Sequence, residues 1–259
     1  MTHAAPGTVR VRREGAVVRV SLERGTLNVL DRPLGRALAA ALAQASADRS
    51  VSAVVLDGGE ARGFSAGVEV ADHTPALVGE MLGAFHGAVR ALWACACPSL
   101  ALVHGFAMGG GLELALACDM VVVERDAKLG LPEIRLGCYP PVAAAILPAR
   151  VGWAAASELV LGGEPFTPGH ALALGMVNRV CEPGEREQAG GELLAPLLRH
   201  SPAVLRETRA ALRLGIAGAQ EAALAAIEAR YLGELMQLAD AGEGIAAYLE
   251  KRPAVWRNG

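Results

Sequence analysis

The sequence predicts an α/β fold: a largely parallel sheet covered by helices and followed by a helical C-terminal region. Two patterns carry this. Short, unbroken apolar runs recur at residues 52–56 (SAVVL), 100–103 and 120–123. Runs of that length suit strands buried on both faces of a sheet. Longer Ala- and Leu-rich stretches with helix-start residues lie between them. That alternation is expected of parallel strands joined by crossover helices. After residue 181 only helical stretches remain. The predicted division is a core over 1–200 and a helical region over 201–259, packing on the core or on a neighbouring subunit.

Taken in order, residues 9–13 and 16–22 are β-branched runs broken by Glu14-Gly15, a hairpin pattern. The loop ERGTLNVL leads to a helix over 33–47, with Pro33 suited to its first turn. Asp57-Gly58-Gly59 ends the next strand and opens a long loop to His73. Loops of that length in compact domains usually carry function. Thr74 is placed to cap a helix over 75–94. The strand at 100–103 feeds HGFAMGGG and a helix, and 120–123 is again a strand. A loop with Gly130-Leu131-Pro132-Glu133 precedes helices at 142–150, 154–161 and 168–174. One more strand is expected at 176–181, then three or four long helices as far as Leu249.

Bulk properties narrow the function classes. With 259 residues, 53% hydrophobic and 20% charged, the chain can bury one large core. The net charge of −3 gives no global electrostatic case for nucleic acid or an anionic membrane. No apolar run reaches eighteen residues without charge or proline, so no membrane span is expected, and the N-terminus lacks the apolar stretch of a signal peptide. A mean hydropathy of +0.33 suits apolar surface buried between subunits. The five cysteines are odd in number and four sit in apolar surroundings, which fits a reducing cytoplasm. Cys95-x-Cys97 has no second pair at zinc spacing, and none of the six histidines has ligand spacing, so no metal site is expected. Satisfied structural roles are the default for His73, His86 and His104.

Three stretches could carry chemistry. In HGFAMGGGLELALACD, Gly109 to Gly111 open a helix. Bare N–H groups there face outward with the positive end of the helix dipole behind them. Glu113 follows Gly110 by three residues and so shares its face. The alternative is close helix–strand packing. A dinucleotide fingerprint starting at Gly109 needs glycine where Leu114 stands, and a P-loop needs Lys where Gly111 stands. The second stretch, GFSAG around Ser65, matches a nucleophile elbow with Asp119 and His170 or His200 as paper partners. An elbow needs a strand running straight into the serine and a helix straight out, which the pattern does not provide. The third is Glu133, surrounded by Leu131, Ile134 and Leu136. A glutamate in apolar surroundings resists ionisation and can hold a proton near neutral pH.

Together these stretches resemble the crotonase family of enoyl-CoA hydratases and isomerases. The resemblance rests on Thr26-Leu27-Asn28, Phe64-Ser65-Ala66-Gly67-Val68-Glu69, the segment His104 to Leu114, Leu129 to Ile134, Ala171 to Val180, and EGIAAYLEKR near the end. It covers nearly the whole chain in order. It implies a ClpP-like spiral of ββα units with a helical C-terminal trimerisation region, assembled as a homotrimer or dimer of trimers. It implies a CoA-thioester substrate and no cofactor beyond the coenzyme A carried by that substrate. The backbone amides of Val68 and Gly110 would form an oxyanion hole, worth about 3–4 kcal/mol per donor. Glu113 and Glu133 would hold a water between them, Glu113 activating it for attack at Cβ and Glu133 exchanging the proton with Cα. Leu27, Ala66, Gly67, His73, Gly109 and Pro141 would line the CoA-ester site. Having both acids favours hydration over isomerisation.

The sequence departs from the family pattern at His73, where an apolar residue is usual, and at Pro141, which deletes a backbone N–H. Both point away from a straight-chain fatty substrate. The segments VADHTP, AFHG and YPPVAA resemble the cyclohexa-1,5-diene-1-carbonyl-CoA hydratases.

Overall fold

The computed structural model describes residues 6–259. Strands β1 (Thr8–Glu14) and β2 (Val17–Glu23) form the expected antiparallel hairpin. Strands β3 (Ala53–Asp57), β4 (Ser99–Val103), β6 (Met120–Glu124) and β8 (Arg179–Cys181) then add in parallel, giving the order β1-β2-β3-β4-β6-β8. Every residue of β3 and β4 is buried, which is why both read as unbroken apolar runs. The last strand is shorter than 176–181. A turn after Ala173 takes up Gly175 to Asn178, and the Asn178 side chain accepts from the Val121 N–H at 2.8 Å.

A second sheet has no counterpart in the sequence reading. Strands β5 (Phe106–Met108) and β7 (Lys128–Gly130) pair in parallel. Three-residue strands among glycines are too short to show a period of two.

Helix α1 (Arg32–Ala47) begins as expected. Asp31 caps it by accepting from Leu34 N–H at 2.8 Å, and Leu34, Leu38, Ala41, Leu42 and Ala45 turn inward at helical spacing. Helix α2 (Val78–Ala94) starts three residues later than expected, and Thr74 does not cap it with its side chain. The Thr74 carbonyl instead accepts from Leu77 and Val78 N–H, so Pro75 lies in a turn that precedes the helix. The remaining helices are α3 (Gly110–Leu116), α4 (Pro141–Val151), α5 (Trp153–Gly162), α6 (Pro168–Ala173), α7 (Arg186–Leu197), α8 (Pro202–Leu214), α9 (Ala217–Gly233) and α10 (Ala239–Glu250). Helix α9 packs on α2 and α4, while α10 packs on the short 3-10 turn Pro132–Leu136. No single helix among the described residues is long and apolar enough to cross a membrane.

Asn28 fixes the long loop after β3. Its residue is fully buried with φ of 46°, a left-handed conformation that Asn tolerates better than most residues. Its Oδ1 accepts from Arg24 N–H at 2.9 Å, and its Nδ2 donates to the carbonyls of Gly58 (2.8 Å) and Phe64 (3.2 Å). Asn28→Ala removes these bonds and leaves the strained φ. The expected cost is about 2–4 kcal/mol, read as a lower urea midpoint at unchanged slope.

Candidate active site

The loop after β3 is bracketed on both sides. Ala66 N–H donates to Leu27 carbonyl at 2.9 Å, and Leu30 N–H donates to Gly67 carbonyl at 2.8 Å. On the other side Ser65 N–H donates to Phe106 carbonyl, and Met108 N–H donates to Ser65 carbonyl. The loop therefore runs between residues 26–30 and β5 and arrives at Val68 in a fixed register.

Gly109 and Gly110 meet it from the other direction. Gly109 has φ of 51°, and a Cβ there would lie 2.5 Å from Glu133 Oε1. A Cβ on Gly110 would lie 2.5 Å from Val68 Cγ2 and 3.5 Å from Val68 N. Glycine at these two positions thus opens a gap bordered by two amides. Neither Val68 N–H nor Gly110 N–H donates to an acceptor among the described residues. Gly110 also begins α3, so the helix dipole reinforces its N–H.

Glu113, one turn into α3, is buried and its Oε1 accepts from Ala143 N–H at 2.8 Å. That donor belongs to the first turn of α4, where Pro141 is the first residue. Proline costs nothing at that position, because the missing N–H would have no helical partner. Pro141 therefore starts the helix whose next amides reach Glu113. Burial pushes Glu113 up to about 7, against the lowering by the Ala143 and Val142 amides. Glu133, on the 3-10 turn, is pushed up to about 8, first by burial and then by the nearby charge of Glu113. Its Oε2 is buried without a partner among the described residues.

Both carboxyls, both amides, Ala66, Gly67, His73, Gly109 and Pro141 line one cavity of about 230 Å³. Leu27 does not line it: its side chain is exposed, and its carbonyl holds Ala66. The His73 ring contacts the Glu69 carbonyl through Nδ1 at 3.2 Å, and burial lowers its pKa. A further wall of the cavity is not legible as such in the sequence. Met81, Leu82, Phe85 and His86 of α2 form it with Tyr139 and Tyr231, whose rings meet edge to face at 5.1 Å. The α2 spacing of i, i+3 and i+4 was visible, but an apolar stripe reads equally as core.

The elbow reading of Ser65 loses its geometry. Ser65 is fully buried, its hydroxyl donates to Asn28 carbonyl at 2.7 Å, and its Oγ accepts from Gly67 N–H at 3.1 Å. The strand before it ends at Asp57. Asp119 is engaged elsewhere, by Ser99 and Arg209. Ser65 is a loop staple.

Two unpaired N–H donors beside two carboxyls of unequal acidity can hold a carbonyl oxygen as it gains negative charge while a proton moves. A sequence model of the enoyl-CoA hydratase/isomerase family matches residues 12–259. The chain belongs to that family. Among curated enoyl-CoA hydratase/isomerase relatives, it is 34% identical to cyclohexa-1,5-dienecarbonyl-CoA hydratase of Thauera aromatica, with 98% of each chain covered. It is 35% identical to 2,3-dehydroadipyl-CoA hydratase of Escherichia coli over 93% of this chain and 95% of that one. The crystal structure of carnitinyl-CoA hydratase from Mycobacterium avium superposes with a TM-score of 0.87 at 31% identity, covering 97% of this chain and 99% of that one. The enoyl-CoA hydratase/isomerase fold expected from the motifs is therefore the fold of the chain.

Proposed function

We propose that the protein is an enoyl-CoA hydratase, adding water reversibly across the α,β double bond of an enoyl-CoA thioester. The observation that carries this reading is the meeting of two unpaired amides and two carboxyls on one cavity. The thioester oxygen accepts from Val68 and Gly110 N–H, which stabilise the enolate-like charge. A water lies between the carboxyls. Glu113, the more acidic of the two, takes its proton as the oxygen attacks Cβ, and Glu133, still protonated near pH 7, delivers a proton to Cα. The coenzyme A of the substrate is the one cofactor this chemistry needs.

A cavity of about 230 Å³ suits a compact acyl group, a short chain or a single ring. The name of the Thauera relative makes a cyclic dienoyl-CoA the first candidate. Residues 201–259 would serve assembly as a homotrimer or dimer of trimers, which would cover the exposed Val204, Leu212 and Leu214 of α8. The free cysteines suit a reducing cytoplasm.

The test is a panel of linear and cyclic enoyl-CoA esters in ¹⁸O water, analysed by mass and by chromatography against double-bond isomers. A gain of one labelled water is the expected result. A shifted double bond without labelled oxygen would make the enzyme an isomerase of the same family, and no change across the panel would remove the hydratase reading.

A further inference from the structure

His86 is a polar group of the cavity wall that the proposed hydration does not use. It is wholly buried on α2, yet it lines the cavity between α2 and α9. Its Nδ1 lies 2.6 Å from Glu228 Oε1 on α9, and its Nε2 has no partner among the described residues. Arg90 Nη2 donates to the other Glu228 oxygen at 2.6 Å. Although burial opposes it, these hydrogen bonds from His86 and Arg90 hold Glu228 down at about 2. Glu228 is therefore a carboxylate, and Nδ1 must be the ring atom that carries a proton. Arg90 is shared with Glu221, whose Oε1 accepts from its Nε at 2.7 Å, and Nε2 of His86 is left as the unpartnered ring atom. Two neighbouring polar groups are already engaged. Tyr139 hydroxyl donates to Ile227 carbonyl at 3.0 Å, and Cys138 Sγ donates to Leu136 carbonyl at 3.5 Å.

A buried polar atom without a partner is costly, and the carboxylate behind it fixes the direction in which it points. A bare hydrocarbon acyl group filling this end of the cavity would leave Nε2 unpaired. A hydroxyl on the acyl group would pair it, and a hydroxyl can donate or accept whichever form the ring takes. We propose that His86 is a specificity-determining residue that selects compact acyl-CoA esters bearing a hydroxyl group remote from the thioester, received by its Nε2. This rests on the CoA-ester reading of the cavity and narrows it. Glu228 and Arg90 act through His86 and are positioning residues.

The test measures binding, so that it stands apart from turnover. Dissociation constants are measured by calorimetry for saturated pairs, pentanoyl-CoA against ω-hydroxypentanoyl-CoA and hexanoyl-CoA against ω-hydroxyhexanoyl-CoA. The wild-type protein is expected to bind one hydroxylated member about tenfold or more tightly than its partner. His86→Asn, which keeps a donor for Glu228 and removes the outer ring nitrogen, should abolish the preference. His86→Gln, which places an amide near the Nε2 position, should retain part of it. Equal affinities within both pairs for the wild-type protein, or a preference that survives in His86→Asn, would overturn the proposal. The wild-type comparison decides even if neither variant folds. A protein that binds these esters with the expected preference but hydrates no enoyl-CoA would lose the hydratase reading and keep this one.

Discussion

Replacing Glu133 with glutamine is expected to lower kcat for hydration by about 10²–10⁴-fold, the usual worth of a positioned general acid. The amide fills the same space but has no proton to give to Cα. Burial and the charge of Glu113 raise Glu133 to about 8, and burial raises Glu113 to about 7. Two such neighbours titrate as a pair, and the singly protonated form is the one equipped to hydrate. In the wild-type enzyme kcat/KM should follow a bell with its maximum between those two values, and in Glu133→Gln the alkaline limb should disappear. The same burial works against stability. In the folded chain both groups bind protons more tightly than the ordinary glutamate at 4.5. Stability is therefore fully present below pH 4.5 and is lost as pH rises through about 7 to 8. Glu133→Gln has one fewer carboxyl to ionise. It should be more stable than wild type at pH 9 by roughly 1–3 kcal/mol and equal to it near pH 4. Urea titrations at the two pH values check this. A variant with full activity, or with lower stability at pH 9, would remove Glu133 from the acid's role.

That trade also explains what the sequence could show. The strands that hold the site are buried on both faces, so SAVVL and its counterparts declare themselves without context. The loop after β3 was legible as a functional loop because its glycines and its length have few structural uses. What it does at Ser65 was not legible. GFSAG permits a nucleophile, and only the hydrogen bond to Asn28 carbonyl turns the serine into a staple. In the sequence alone Pro141 signals only the loss of an amide. The structure makes it the start of α4, because Ala143 two residues on supplies the amide that Glu113 needs. His86 shows the limit most clearly. A histidine on an apolar helix face gives no sign of which ring nitrogen is free. Here the answer lies on a glutamate 142 residues away. Local pattern reveals elements and catalytic loops. Pairing across the cavity wall depends on how α9 crosses α2, which no window of sequence contains.

Gly110→Ala is expected to lower kcat by about 10²–10³-fold, comparable with losing one oxyanion donor. The argument is steric and local. Gly110 is not among the glycines with positive φ, so alanine suits its backbone. The new methyl group would nevertheless stand 2.5 Å from Val68 Cγ2 and 3.5 Å from Val68 N, in the gap between the two amides. Val68 must move away or the thioester oxygen must stay out; either way one hydrogen bond is lost when the oxygen becomes enolate-like. Affinity for a saturated acyl-CoA, whose carbonyl carries no such charge, should fall much less than kcat. Gly109→Ala is the contrasting change. Its methyl group would meet Glu133 Oε1 at 2.5 Å, and its φ of 51° adds backbone strain. That variant should lose the acid's pH limb as well as rate, whereas Gly110→Ala should keep the bell and lose only its height. Stopped-flow rates across pH separate the two. Wild-type kcat in Gly110→Ala would mean that the thioester oxygen is held somewhere other than between Val68 and Gly110.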